Sequence, residues 1–466
     1  MALGCSPGRP SGDPLLFWDS NTPSTADPLD ADQILHSIAF GPLHATLVDR
    51  GRKGRLLGGL AETWRSSPDF TEWSFVFRAG QTYETGEPVE PGHLAAAWER
   101  LRKKMAARKS GHPVFDRLAE DGISVAGRTL TLRFKEPYPK LLSQVSDEIL
   151  GLVHPSCLEP VTGDWRCGRK PISSGPYRLA RWDATGVTLR LRDDFPAERR
   201  HGRAFREVRI TDDPSLRAAA DVVYGLSRDG DHPAGARFVG SMDSAVAYAR
   251  CQSWTLRSSP CADKRARAAL RDRFYSELSS AGFVAPLTFF PLSIPGLASV
   301  ETPRAEGPPA RPGPLSFDPV GLRTSFLAPA DPALERAAAA LGGGAVRRPI
   351  PTARRFAEKA SGLARYEADV AFFMVEITLE DPLSSVRFMF ESKEGARLPD
   401  PTGRISAELK RPKPDLQAVN ARLFDDAIIW PVAHAGFGVW VAPPVDASLA
   451  NDAQAVTPLA WLGRAD

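Results

Sequence analysis

Residues 172 to 195 read ISSGPYRLARWDATGVTLRLRDDF, with apolar and polar side chains alternating on either side of Asp183-Ala184-Thr185-Gly186. Alternation at period two around a turn sequence predicts an antiparallel hairpin with one buried face. Ser173-Ser174-Gly175-Pro176 runs straight into it. Glycine there supplies backbone freedom at a turn, and proline fixes φ before the strand begins.

The chain around it has 466 residues, 42% of them apolar. That is too long for one ordinary domain and rich enough to bury several cores. Lys and Arg number 59 against 56 Asp and Glu, a formal charge of +3, and the arginines stand among acids, as in ARYEAD and LRLRDD. This is the pattern of a solvated surface, and it argues against a nucleic-acid partner. No apolar run reaches the ~20 residues of a membrane helix.

Further elements follow from periodicity. EWSFVFRAG, 72 to 80, alternates Trp73, Phe75 and Phe77 as a half-buried strand. PVEPGHLAAAWERLRKKMA places Pro91 at a helix start, with Leu94, Ala97, Trp98 and Leu101 along one face. ISVAGRTLTLRF predicts a hairpin, PKLLSQVSDEIL a helix, and DKRARAALRDRFYSELSSAG an amphipathic helix closed by Gly282. ADVAFFMVEI reads as a buried strand, and the helix in LQAVNARLFDDAIIWPVAHAGFGVWVAPPV leads into closing strands. The polar, proline-rich stretch from 391 to 416 reads as a surface loop.

The cysteines and the amino terminus bear on location. Ala2-Leu3-Gly4 before Cys5 resembles the end of a bacterial lipoprotein signal, in which the cysteine carries the lipid. The alternative is an ordinary cysteine in a flexible terminus. Cys157 with Cys167, and Cys251 with Cys261, are each ten residues apart. Two local disulfides are one of three pairings of these four residues, and free thiols are the other reading. Neither pair nor the eight histidines shows metal-ligand spacing, so no metal and no cofactor is expected. The chain has no H-E-x-x-H, no Walker A lysine loop and no G-x-G-x-x-G after a strand, and an enzyme is not expected.

Several segments match one family in order. Leu60-Ala61-Glu62-Thr63-Trp64, Phe77-Arg78-Ala79-Gly80, Gly86-Glu87-Pro88 and Trp98-Glu99-Arg100 follow one another, then Ser174-Gly175-Pro176-Tyr177, CADKRARAALRDRFYSEL and EADVAFFMVEITLEDPL. With these the chain resembles bacterial extracellular solute-binding proteins of family 5, the peptide, oligopeptide and nickel class serving ABC transporters. The resemblance implies an α/β, two-lobed periplasmic-binding-protein-like fold (class II, cluster C type), with an extra α+β domain inserted in the first lobe. Residues 1–13 would be a flexible tether. The first lobe would comprise 14–45, 168–255 and 436–466, the inserted domain 46–167, and the second lobe 256–435.

The implied function is capture of a short peptide or similar small ligand between the lobes by hinge closure, for ABC permease subunits. The protein would be a periplasmic or surface-anchored monomer, touching the membrane only through Cys5. A non-transport sensor of the same fold, or a binder of a metal chelate or sugar, is the alternative. Peptide-binding members carry a Gly-Trp-x-x-Asp stretch where Phe372-Phe373-Met374-Val375-Glu376 stands here. The resemblance therefore implies Glu376 as partner of a ligand ammonium group and Phe373 as a cleft wall. Tyr248, Trp18 and Trp254 are further ligand-contact candidates, each with core packing as its competing role. The family's Asn and Tyr-Trp after the hairpin are replaced by Asp193-Asp194-Phe195.

Overall fold

A computed structural model describes residues 14–19, 25–30, 40–50, 55–107, 112–200, 202–226, 232–240, 245–251, 263–282, 284–286, 288–291, 294, 316–318, 331–340, 346–347, 370–377, 382–391, 400, 402–411, 414–443, 445–448 and 459–464. Strand β1 (Leu15–Trp18) opens the fold. A small hairpin, β2 (Val48–Arg50) and β3 (Leu56–Gly58), follows. Then come β4 (Ala61–Ser66), β5 (Glu72–Phe77), helix α1 (Pro91–Ala107), β6 (Leu118–Ala126) and β7 (Thr129–Phe134). These four strands form an antiparallel sheet in the order β4-β5-β7-β6. Phe75, Phe77, Leu130 and Leu132 bury against Leu94, Trp98 and Leu101 of α1, the face that the helical spacing marks. Trp98 Nε1 donates to Leu150 O at 2.9 Å, so this ring is buried with its polar atom paired.

The hairpin that opened the sequence reading is β8 (Tyr177–Asp183) with β9 (Gly186–Leu191). It joins a seven-stranded sheet with β10 (Glu207–Thr211), β11 (Val222–Leu226), β12 (Arg237–Gly240) and, much later, β18 (Phe437–Val441); the order is β12-β18-β11-β1-β10-β9-β8. The chain then enters a second sheet at β13 (Ala245–Cys251), followed by helix α2 (Lys264–Ser280), β14 (Ser316–Asp318), helix α3 (Asp331–Ala340), β15 (Val346–Arg347) and β16 (Val370–Glu376). Helices α4 (Pro382–Glu391), α5 (Arg404–Leu409) and α6 (Leu416–Asp425) precede β17 (Ile429–Ala435), and β18 (Phe437–Val441) returns to the first sheet. The second sheet has the order β15-β14-β16-β13-β17. One of its faces carries Ala249, Val370 and Trp430 under Leu270 and Phe274 of α2 and Ala337 of α3. The other carries Val246 and Ile429 under Val386, Ile405 and Val419 of α4 to α6. Among the described residues no helix is long and apolar enough to cross a membrane.

Four expectations change. Strand β13 belongs to the second sheet, so the chain leaves the first lobe between Gly240 and Ala245 and not at residue 255. PKLLSQVSDEIL is not one helix; it makes a turn at Leu141–Gln144 and a 3-10 turn at Glu148–Leu150. Ser143 and Ser146 donate their hydroxyls to the carbonyls of Lys140 and Ser143, and Asp147 accepts the Ile149 N–H, so local side-chain bonds displace the helical ones. The stretch read as a loop from 391 to 416 contains α5, because Ile405 and Leu409 are buried. Its Glu408 carboxyl, held down to about 2 by the Asp415 N–H and by Arg411 and Arg422, is neutralised where it is covered. Gly175, finally, is needed for closeness: a Cβ there would overlap the Pro42 carbonyl oxygen.

That closeness joins the inserted domain to the first lobe. Leu43 O accepts the N–H groups of Ser174 and Gly175, each at 2.9 Å, and the Ser173 hydroxyl at 2.8 Å. Ser174 Oγ donates to Leu152 O at 2.7 Å and accepts the Ala45 N–H at 3.0 Å. The segments at 43–45, 152 and 173–175 are thus tied at one point. His44 lies beside it, fully covered, with Nδ1 3.3 Å from Leu152 O and Nε2 3.1 Å from Ala26 O. Cys157 and Cys167 are bonded to each other and close a loop whose Gly163 O accepts from Arg100 Nε at 2.6 Å.

Two outcomes are expected. Replacing both cysteines of the Cys157–Cys167 pair by serine costs about 3 kcal/mol of unfolding free energy for a loop of this length, measured by urea unfolding without reductant; reductant then leaves the variant unchanged. Burial pushes the His44 pKa below its ordinary 6.5, with the two carbonyls and Asp27 opposing. Below pH about 6.5 the unfolded chain therefore binds the extra proton, and stability falls with pH by at most about 1.4 kcal/mol per unit. His44→Gln removes this part of the acid loss between pH 7.5 and 5.5, read as the wild-type minus variant difference in unfolding midpoints.

Candidate interlobe cleft

Strands β1, β10 and β11 run parallel, so their carboxyl ends, Trp18, Thr211 and Leu226, share one edge of the first sheet. Strand β12 ends on that edge at Gly240, and β18 starts there at Phe437. In the second sheet β16 and β17 end, and β13 begins, on the edge where the chain arrives: Ala245 pairs with both Glu376 and Ala435. Only Gly436 separates Ala435 from Phe437, which holds the two edges within about 7 Å at that crossing. Open α/β sheets place ligands outside the carboxyl ends of their strands. Both sheets present those ends to each other.

Glu376 occupies this edge, two strand spacings or about 10 Å from Ala435. Phe373 and Tyr248 are register partners three residues further in. They share the parity of Val246 and Val375, which pack in the core beneath α4 to α6. The side chains of Glu376, Phe373, Tyr248 and Cys251 lie outside the described residues, as do Trp254, Cys261 and Cys5 altogether.

Trp18 is corrected by its surroundings. Its indole packs with Leu16, Ala220 and Val223 and is only 6% exposed. Its Nε1 donates to Asp213 O at 2.9 Å, and the Arg217 guanidinium lies 4.4 Å above the ring. It holds the 214–219 turn onto the sheet and has no free face for a ligand. His434 Nε2 likewise faces Thr288 O at 3.0 Å and Phe289 O at 3.3 Å, tying β17 to the segment after α2.

A cavity of about 500 Å³ opens on the same edge, lined by Ala184, Thr185, Arg209, Thr211, Asp212, Asp213 and Pro214. It lies three strands, about 14 Å, from β18, toward the end of the sheet remote from the crossings. Its walls are held by local bonds. Asp183 accepts the Thr185 N–H and hydroxyl, and Asp213 accepts the Ser215 N–H and hydroxyl. Those bonds, hydroxyl first, keep both carboxyls below the usual range, with Arg209 adding to the effect. The cavity therefore offers a guanidinium and ionised carboxylates to a polar ligand. The sequence signal for it is ITDDP, a polar run where a buried strand ends. Among the described residues no three His, Cys, Asp or Glu side chains could hold a metal ion.

With this geometry, residues 55–228 match the family described as bacterial extracellular solute-binding proteins, family 5 middle. The periplasmic oligopeptide-binding protein OppA of Haemophilus influenzae is 24% identical over 181 residues, 36% of this chain and 34% of its own length. The matched segment thus spans about a third of that relative. In structure, the Escherichia coli murein tripeptide binding protein MppA superposes with a TM-score of 0.74 at 16% identity, covering 97% of this chain and 98% of its own. The unliganded open form of MppA, at the same identity and 97% coverage of each chain, reaches 0.58. The family match thus rests on residues 55–228, and the chain as a whole shares the two-lobed α/β fold of these solved structures.

Trp18→Phe keeps the packing and removes the bond to Asp213 O. It is expected to cost about 1 kcal/mol of stability in urea unfolding and to leave ligand-induced thermal shifts at the wild-type size; a loss of the shift would return Trp18 to the cleft.

Proposed function

We propose that this chain is the extracytoplasmic substrate-binding component of an ABC importer, and that it encloses a short peptide or similar polar ligand between its lobes. The observation that carries the reading is the place of Glu376, at the strand end that meets the first lobe beside the double crossing. A carboxylate in a closed, low-dielectric cleft favours an ammonium group through a charge-assisted bond. The polar cavity at Arg209, Thr211 and Asp212 lies on the opposing edge and provides a second place for polar ligand groups. Relatives named for oligopeptide and murein tripeptide binding support the ligand class. Closure buries the ligand, and the closed form is what the permease recognises. The protein acts outside the cytoplasm, as a monomer, by binding and not by catalysis.

The test is thermal unfolding against pooled short peptides, with sugars and nickel chelates as controls. A ligand at 100 times its dissociation constant adds ~2.7 kcal/mol, a readily measured shift. Peptides are expected to give it. Glu376→Gln is expected to weaken binding roughly 10- to 100-fold, while acetylation of the peptide amino terminus weakens the wild type and leaves the variant unaffected. Shifts confined to chelates or sugars, or none at all, would overturn the peptide reading.

A further inference from the structure

Two short helical turns open on His-Pro: one follows His112-Pro113-Val114 and the other His154-Pro155-Ser156. Proline has no N–H, so in each turn the imidazole Nδ1 accepts the next one, from Val114 at 3.2 Å and from Ser156 at 3.1 Å. That bond is all the cap requires. At His154 two further groups are added. Ser156 Oγ lies 2.7 Å from the same Nδ1, and Nε2 is hydrogen-bonded to the carboxylate of Glu87, 67 residues earlier. At His112 the position of Ser156 is taken by apolar Val114, and Asp147 stands 3.8 Å from Nε2.

Because Nδ1 accepts the Ser156 N–H, the ring proton is on Nε2, and Glu87 accepts its hydrogen bond. The Ser156 hydroxyl then donates to Nδ1. Hydroxyl, imidazole and carboxylate follow one another as nucleophile, base and orienting group. Tyr83 holds the imidazole from the side, its ring meeting it nearly edge-on at 4.4 Å. His154 is buried and Ser156 is exposed, so the base is fixed while the nucleophile can be reached. The next two N–H groups, of Cys157 and Leu158, are spent on the carbonyls of His154 and Pro155 at 2.9 and 3.0 Å, and do not serve an oxyanion. The arrangement equips the serine for one acyl transfer and withholds the donors nearest to it that would speed turnover.

We propose that Ser156 is a nucleophilic serine, a site of covalent acylation by activated esters, with His154 as its base and Glu87 positioning the imidazole. Oγ attacks the carbonyl carbon of the ester, and its proton passes to His154 Nδ1. The tetrahedral adduct expels the phenol or alcohol, whose oxygen keeps the electron pair of the broken C–O bond and takes the proton back from Nδ1. The acyl group stays on Ser156, and the imidazole returns to its starting form. Acylation removes the hydroxyl donor and leaves the cap bond from the Ser156 N–H in place. The site adjoins the Cys157–Cys167 loop and lies off the interlobe edges, so it does not depend on capture of a ligand between the lobes.

The experiment treats the full-length protein with p-nitrophenyl acetate and, separately, with a fluorophosphonate probe, and follows modification by intact mass and peptide mapping. Wild type is expected to be modified at Ser156 well before the exposed Ser276 and Ser280, and Ser156→Ala to lose that modification. His154→Gln is expected to slow labelling of Ser156 about 100-fold, the lower end of general-base assistance. Glu87→Gln still accepts a hydrogen bond from Nε2 and is expected to slow it by a smaller factor; an unchanged rate there would remove the positioning role. Should His154→Gln fail to fold, Glu87→Gln and the comparison of Ser156 with Ser280 in the wild type decide. Equal rates at Ser156 and Ser280, an unchanged rate in folded His154→Gln, or no modification of Ser156 where a serine hydrolase in the same tube is fully labelled would overturn the proposal.

Discussion

One constraint shapes the candidate cleft: the chain passes between the two sheets twice, and the strands on either side of those passages pair with each other. The strands feeding them are paired before and after, β12 with β18 in the first sheet and β13 with β17 in the second. A single crossing would let the sheets swing in any direction. Two parallel ones leave mainly rotation about an axis through both, and that rotation brings the carboxyl-end edges together or apart. Glu376 and the Arg209 cavity lie on those edges.

For such a rotation to be useful, each side has to move as one body. The inserted domain is made part of the first lobe by buried charges. Arg100 holds both carboxylate oxygens of Asp27, at 2.9 and 2.5 Å. Arg199 reaches Asp49 at 2.9 Å and Gln81 Oε1 at 3.1 Å. Arg192 donates to Thr82 O at 2.8 Å and to Asp194. Each guanidinium is nearly covered and links segments far apart in sequence. Removing one partner would strand a buried charge, so these links specify the docking of the domain more than they add to stability.

The parts of the fold legible in the sequence are those fixed by local pattern. The hairpin at 177–191, the strand at Trp73, Phe75 and Phe77, and helix α1 with its Leu94–Leu101 face all follow from periodicity, because one face of each is buried against a continuous core. What the pattern could not show is contact between distant segments. Gly175 looks like a turn residue, and only the nearby Pro42 carbonyl reveals why it has no side chain. Trp18 ends a strand at the interlobe edge, yet Asp213 and Arg217, almost 200 residues away, claim its ring. Helix α5 hides in a polar stretch because the charge of Glu408 is answered by Arg422 on the next helix. Asp193-Asp194-Phe195, a departure from the family pattern, has a local cause of the same kind: Asp194 is the partner of Arg192.

The candidate site divides along the same line. Glu376 was reachable from a family pattern because a strand end is a local feature, and its pairing with Ala245 puts it at the crossing. The cavity at Arg209 was not, since it forms where a hairpin tip from 184–185 meets a turn from 211–214. A ligand spanning both would contact two lobes, which among the described residues are linked through Gly436. Its binding energy would then depend on how the lobes are set as well as on the groups it meets. In such an arrangement residues that never touch the ligand share control of affinity with those that do.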